Sequence, residues 1–231
     1  MNFFVGTSGW YYDWNADKTL DWYINNAGLN AIELNASFYR FPFPNQIKSW
    51  AKKGGNLKWI IKVNRYVTHL QRFNENALLK FKNFVKLFEP LKGFIDFYLF
   101  QLPPSFKPDK SVILEKFMKK IGKYKNVKNK ICIEYRNAEW FTDKWVSWTE
   151  DLNCIFVSVD SPMFAPFIVK TGNTVYLRMH GRHDWYAYDY SENELKEILD
   201  KITKLNPEKI YILFNNDSML PNAKSMMKLV K

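Results

Sequence analysis

Three pairs of polar side chains in this 231-residue chain lie two residues apart at the ends of apolar segments. The pairs are Glu33 with Asn35, Glu134 with Arg136, and Arg178 with His180. Side chains two residues apart share one face of a β-strand. A charged group that faced a dry layer of helices would carry a large desolvation cost. We therefore expect the pairs to point into an interior that opens to solvent, where carboxylates can exchange protons and arginines can bind anions.

Other polar and aromatic residues fall at the predicted strand ends and complete a candidate site. The residues assigned to catalysis are Glu33, Lys62, Glu134, Asp160 and His180. Those assigned to substrate binding are Ser8, Trp10, Asn35, Tyr39, Arg65, His69, Gln101, Arg136, Arg178, Asn215, Asn216 and Asp217. No residue is assigned as a metal ligand, and we expect no cofactor.

These residue types favour metal-independent acid–base chemistry on a small phosphorylated, carboxylated or polyhydroxylated substrate. Arg136 and Arg178 would supply forked donors to a phosphate or carboxylate. The base would be Glu134 or Glu33, and the acid His180 or Lys62. Loop aromatics offer flat surfaces to a sugar or base, and segment 182–190 is expected to act as a lid.

Several alternatives stay open at this point. The charges could neutralise one another in an ion-pair lattice, Glu33 with Lys62 and Glu134 with Arg178. Lys62 could be a Schiff-base lysine. A single Mg²⁺ or Mn²⁺ could be held by Glu33, Glu134, Asp160 or Asp217. With three histidines in the chain, a multi-zinc cluster is not expected.

Length and composition indicate one globular domain, residues 1–231. The net charge of +11 opens two further classes: a nucleic-acid-binding or phosphodiester-cleaving protein, and a non-catalytic metabolite-binding barrel. Nine lysines lie in segment 107–130, which we expect to be a solvated basic face or a polyanion-docking surface. No segment has the roughly 18 apolar residues of a membrane span, so no membrane partner is expected. We expect no signal peptide and a cytoplasmic protein with Cys132 and Cys154 reduced.

Eight apolar segments predict strands, and helical patterns separate them. The strand segments are 3–8, 31–35, 57–63, 95–102, 130–136, 154–160, 174–181 and 209–215. Helices are predicted from apolar spacing within 18–27, 45–53, 78–88, 110–123, 141–152, 195–202 and 221–230. Pro162 and Pro166 allow at most a short helix after strand six. Eight alternations predict an α/β fold of the (β/α)8 TIM-barrel type.

Successive motifs along the chain resemble those of the YecE-like family, a domain of unknown function also called DUF72. They include Gly6-Thr7-Ser8-Gly9-Trp10-Tyr11, Glu33-Leu34-Asn35-Ala36-Ser37-Phe38-Tyr39-Arg40 and Tyr176-Leu177-Arg178-Met179-His180-Gly181. The resemblance covers nearly the whole chain. It implies a TIM-type barrel with a polar pocket at the strand ends, and it implies no substrate.

Overall fold

The computed structural model describes residues 1–231, except for the side chains of Phe164 and Ala165. The described backbone forms strands β1 Asn2–Thr7, β2 Ala31–Leu34, β3 Lys58–Lys62, β4 Ile95–Gln101, β5 Ile131–Glu134, β6 Cys154–Ser161, β7 Phe164–Phe167, β8 Thr174–Met179 and β9 Lys209–Phe214. Its α-helices are α1 Leu20–Asn26, α2 Pro44–Lys53, α3 Glu75–Leu87, α4 Ser111–Ile121, α5 Asp143–Asp151, α6 Glu192–Lys204 and α7 Met219–Leu229. None of these described helices is long and apolar enough to cross a bilayer.

Side-chain caps fix where several helices begin. Ser191 accepts a hydrogen bond from the backbone of Glu194, and the Glu194 side chain returns a bond to the backbone of Ser191, a capping box that starts α6. Asn74 accepts from the backbone of Ala77 at the start of α3. Side-chain hydrogen bonds therefore define the first turns of α3 and α6.

The chain divides into two compact units. The first unit comprises Met1–Glu33, Asn56–Lys58 and Val157–Lys231, and the second comprises Leu34–Gly55 and Trp59–Phe156.

In the first unit, β1 pairs in parallel with β2 and β9, and β8 pairs in parallel with β9 and β6. Val175, Leu177 and Met179 of β8 face α6 and α7 and form a buried core with Leu195, Ile198 and Ala223, among others. The alternate residues Tyr176 and Arg178 therefore lie on the opposite face of the sheet. Gly6 is required at the β1–β2 contact, because a Cβ there would lie 2.2 Å from the carbonyl oxygen of Ala31.

In the second unit, β3, β4, β5 and the start of β6 pair in parallel. Tyr98 and Phe100 of β4 pack against Phe81 of α3, and Phe100 also packs against Phe117 of α4. The other face carries Lys62 beside Leu99, and Gln101 beside Glu134. This face is where the polar residues of the second unit gather.

The segment after β6 differs from the prediction. Instead of at most a short helix, Phe164–Phe167 forms strand β7, antiparallel to β6. A turn at Pro162 and Met163 reverses the chain, and proline is tolerated in such an edge strand because its missing N–H breaks no interior ladder.

Candidate functional site

The first unit holds a buried cluster around Glu33, near the end of β2. Arg178 Nε and Nη2 donate to Glu33 Oε2 and Oε1 at 2.9 and 2.5 Å. Tyr176 donates to Oε2 at 2.9 Å, and Ser8 donates to Oε1. All four side chains are fully buried. Both oxygens of Glu33 are thus engaged and its arginine partner has no exposed surface, an arrangement typical of a structural ion pair.

His180 extends this cluster. Its Nε2 lies 3.4 Å from Arg178 Nη1, and its Nδ1 lies 3.2 Å from the side-chain amide of Asn215. Arginine carries only donors, so this contact is a hydrogen bond in the tautomer whose Nε2 is unprotonated. The role of His180 as an acid stays a prediction.

The predicted lid, segment 182–190, is tied to the body of the first unit. Asn216 donates to the Tyr188 carbonyl oxygen at 2.7 Å, and Asp217 N–H donates to that of Tyr186 at 2.7 Å. Asn222 Nδ2 donates to Asp189 at 2.6 Å. Asn216 and Asp217, predicted to bind substrate, are used here to fix this segment.

Asp160, assigned to the candidate site with Arg178, does not share the strand face of Arg178. It stands beside Met179 in the register of β6 and β8, so it shares the face that Met179 turns toward α6. Arg178 lies on the opposite face. Asp160 instead pairs with Arg182 at 3.1 Å. Burial raises the pKa of Asp160, and the charge of Arg182 opposes that rise.

The second unit holds its own polar cluster at the end of β5. Gln101 Nε2 donates to Glu134 Oε2 at 2.9 Å, and Arg136 Nη2 lies 2.6 Å from Glu134 Oε1. The Glu134 side chain is fully buried, whereas that of Arg136 is 12% exposed. The carboxylate is therefore held in one orientation while its arginine partner reaches the surface.

Four cations surround His69, which lies in a π-helical turn, Tyr66–Leu70, after β3. The pKa of His69 is lowered to about 4, first by burial and then by neighbouring positive charges. The positive charges, in order of their effect, are those of Lys62, Arg136, Arg65 and Arg72. We name these four residues the cationic cluster. Like charges disfavour protonation, so the imidazole is neutral at physiological pH.

Aromatic rings line the same part of the second unit. The ammonium of Lys62 lies 4.4 Å from the centre of the Phe38 ring, a cation–π contact. Phe38 also packs edge-on against His69 and Tyr39, with ring centres 5.1 Å apart in both cases. Tyr39 is largely exposed. A ligand that reached the cationic cluster would thus meet flat aromatic surface beside it.

The chain matches one protein family over nearly its whole length. The family described as a protein of unknown function, DUF72, matches residues 4–231. This chain belongs to the DUF72 family. The resemblance seen in the sequence is therefore confirmed. No curated protein matches the sequence.

Solved structures of other DUF72 proteins share the fold. One from Thermotoga maritima has 23% identity and a TM-score of 0.83, with 100% of this chain and 99% of that chain covered. One from Enterococcus faecalis has 21% identity and a TM-score of 0.82, with 99% and 95% covered. SacUVDE has 10% identity and a TM-score of 0.61, with 100% and 98% covered. The predicted (β/α)8 TIM-type barrel is confirmed as the fold.

Other residues of this DUF72 chain differ in how well the sequence predicted their positions. Asn35 was expected on the strand face of Glu33, but β2 ends at Leu34 and Asn35 opens a 3₁₀ turn, Asn35–Phe38. Trp10 is partly buried, and its carbonyl oxygen accepts from Asn15 at 2.8 Å. Arg72 was not predicted at all. It lies seven residues after Arg65 and beyond the π-helical turn, so strand periodicity could not reveal it.

Among the described residues, no three His, Cys, Asp or Glu side chains are grouped to hold an ion. The convergence of the Glu33 and Glu134 clusters in one cavity stays a prediction.

Proposed function

We propose that this DUF72 protein binds a small phosphate- or carboxylate-bearing molecule at the cationic cluster and acts on it by acid–base chemistry through Glu134. The observation that carries the proposal is the neutral His69 among Lys62, Arg65, Arg72 and Arg136. Positive charge concentrated beside a half-buried imidazole favours an anionic ligand.

The arginines of the cluster suit an anion better than Arg178 does. The guanidinium of Arg178 is engaged with Glu33 in a fully buried ion pair. Arg136 reaches the surface, and Arg65 and Arg72 are exposed. A guanidinium offers two parallel donors to a phosphate or carboxylate, which fixes the orientation of the ligand as well as its affinity.

Glu134 is the base in this proposal. Gln101 and Arg136 hold its two oxygens, so the carboxylate is oriented before any ligand arrives. Lys62 is the acid, because His69 with a pKa of about 4 carries no proton to give at neutral pH. The proposed chemistry needs no metal, and turnover should be unchanged by EDTA.

Calorimetric titration with inorganic phosphate tests the binding step. Arg136→Gln should weaken binding at least about tenfold, since a lost charge-assisted hydrogen bond costs roughly 1.5–3 kcal/mol. Lys119→Gln removes the same charge from an exposed pair with Glu115 and is the matched control, with affinity unchanged. Equal phosphate affinities of Arg136→Gln and the parent protein would contradict the proposal.

A panel of sugar phosphates, sugar acids and polyols tests the chemical step. Glu134→Gln should keep the fold and phosphate binding but lose turnover of any compound that the parent protein converts. Turnover at the parent rate in this variant contradicts the role of Glu134. A bound compound recovered intact from the parent protein would favour a non-catalytic metabolite-binding barrel.

Nucleic acid is the second candidate ligand. The fold resembles the UV damage endonuclease-like barrel of SacUVDE, the net charge is +11, and exposed Tyr39 and Phe43 could stack on bases. Fluorescence anisotropy with single- and double-stranded DNA and RNA should then show affinity that falls steeply with salt. Absence of binding at low salt would exclude this candidate.

A further inference from the structure

A cavity lies in the first unit, on the sheet face opposite Arg178. It has a volume of about 380 Å³ and lies among Asp160 and Ser161 of β6, the turn at Pro162 and Met163, Arg182, and Lys201 of α6. Met163 and Lys201 are exposed at its edge. Nothing in the proposed function uses this cavity.

Two buried oxygens in the cavity wall lack a hydrogen-bond partner. Asp160 is 1% exposed and Ser161 is 3% exposed. Within the described part of the chain, Asp160 Oδ1 and Ser161 Oγ make no hydrogen bond. A buried carboxylate oxygen without a donor costs free energy, and a carboxylate can only accept. The missing partner is therefore a donor.

The charges around the cavity favour a cationic donor. Arg182 is shared among carboxylates: Nε lies 3.1 Å from Asp160 Oδ2, and Nη1 lies 3.1 Å from Glu194 and 3.8 Å from Glu197. Arg182 is thus shared among three carboxylates, of which Asp160 and Glu197 line the cavity. Pro162 and Met163 supply apolar surface for the rest of a ligand.

We propose that this cavity binds a small organic ammonium ion, whose N–H groups donate to Asp160 Oδ1 and Ser161 Oγ while its apolar part contacts Pro162 and Met163. A charge-assisted hydrogen bond to a buried carboxylate is stronger than a neutral one. An alkylammonium ion therefore supplies N–H donors to both unpartnered oxygens and a positive charge beside the buried carboxylate, whereas an alcohol supplies a donor without the charge.

Methyl NMR of the protein labelled at methionine tests the proposal, with n-butylammonium chloride as the probe. The Met163 resonance should shift in a saturable way, and butanol and butyrate should bind at least about tenfold more weakly. No shift with butylammonium, or equal affinity for butanol, would overturn the proposal.

Three variants locate the binding group. Asp160→Asn should weaken butylammonium binding at least about tenfold, and Lys201→Met should strengthen it by removing a competing cation. Asp200→Asn takes the same charge from the exposed face of α6 and should change nothing. If Asp160→Asn disturbs folding, Ser161→Ala takes its place as the variant that should bind butylammonium more weakly. The assignment is contradicted if the control Asp200→Asn weakens binding as much as Asp160→Asn does. It is also contradicted if neither Asp160→Asn nor Ser161→Ala weakens binding.

Discussion

Arg178 and Glu33 form a two-point ion pair with no exposed surface on either side chain. Ser8 and Tyr176 complete the hydrogen bonding of the carboxylate. Because every acceptor position is engaged by a donor, this pair fixes β2 relative to β8 within the first unit. Glu33, one of two candidates for the base, and Arg178, one of two candidate anion ligands, are thus engaged with each other.

Glu33→Gln should destabilise the protein by about 3–5 kcal/mol, because it leaves the charge of Arg178 buried without a counter-charge. Urea unfolding measures the change. Glu192→Gln, which breaks an exposed pair with Lys196, is the control and should leave the midpoint unchanged. A Glu33→Gln variant as stable as the parent would show that Arg178 finds another counter-ion.

Gly6→Ala should cost more than the roughly 1–3 kcal/mol of an overpacked side chain, because the new methyl group meets the backbone oxygen of Ala31. Gly93→Ala is matched to it: the added Cβ has no atom within 4 Å, and stability should stay level or rise slightly. Thermal unfolding of both variants checks the contrast. Similar melting temperatures would mean that β1 and β2 separate at little cost.

His69 should make the protein less stable as pH falls from about 6.5 to about 4. The unfolded chain takes up a proton near the ordinary histidine pKa of 6.5, whereas the folded chain does so only near 4. The unfolded state therefore binds more protons in this window, and acid favours unfolding. His69→Gln should flatten this part of the curve of unfolding free energy against pH. A curve identical to that of the parent would show that His69 is not buried among cations.

Asn222→Ala should loosen segment 182–190. Asn222 accepts from the side chain of Asn216 at 2.7 Å and from the backbone N–H of Tyr190, and it donates to the Tyr190 carbonyl oxygen, so its loss removes a partner from each of these buried groups. Amide hydrogen exchange in the segment should accelerate about tenfold or more. Asn193→Ala, on the exposed side of α6, should leave exchange unchanged. Unaltered exchange in Asn222→Ala would show that the hydrogen bonds of Asn222 do not hold segment 182–190 in place.

The fold could be predicted from the sequence because its signals are local. Apolar strand segments and the Ser191 capping box lie within a few residues of the elements that they define. Strand parity also placed Arg178 and His180 on one face, where they meet. Strand β7 was missed because Pro162 and Pro166 indicated a break, whereas Pro162 lies in the turn and Pro166 in an edge strand that pairs with the end of β6.

The site was harder to predict, because it depends on register and partner choice. Asp160 lies on the helix side through its alignment with Met179, and no local pattern reports that alignment. Glu33 could have paired with any nearby cation, and the sequence suggested Lys62 where the structure has Arg178. Arg72 reaches His69 only through the π-helical turn before it.

Titration of His69 by NMR, with and without inorganic phosphate, tests the central claim of anion binding most directly. Burial and, after it, neighbouring positive charge lower the pKa of His69 from 6.5 to about 4. An anion held by Arg136 and Lys62 offsets the second cause, so saturating phosphate should raise that pKa by at least about one unit. Arg136→Gln should abolish the response to phosphate. An unchanged pKa of His69 at phosphate concentrations that saturate the protein would contradict the account.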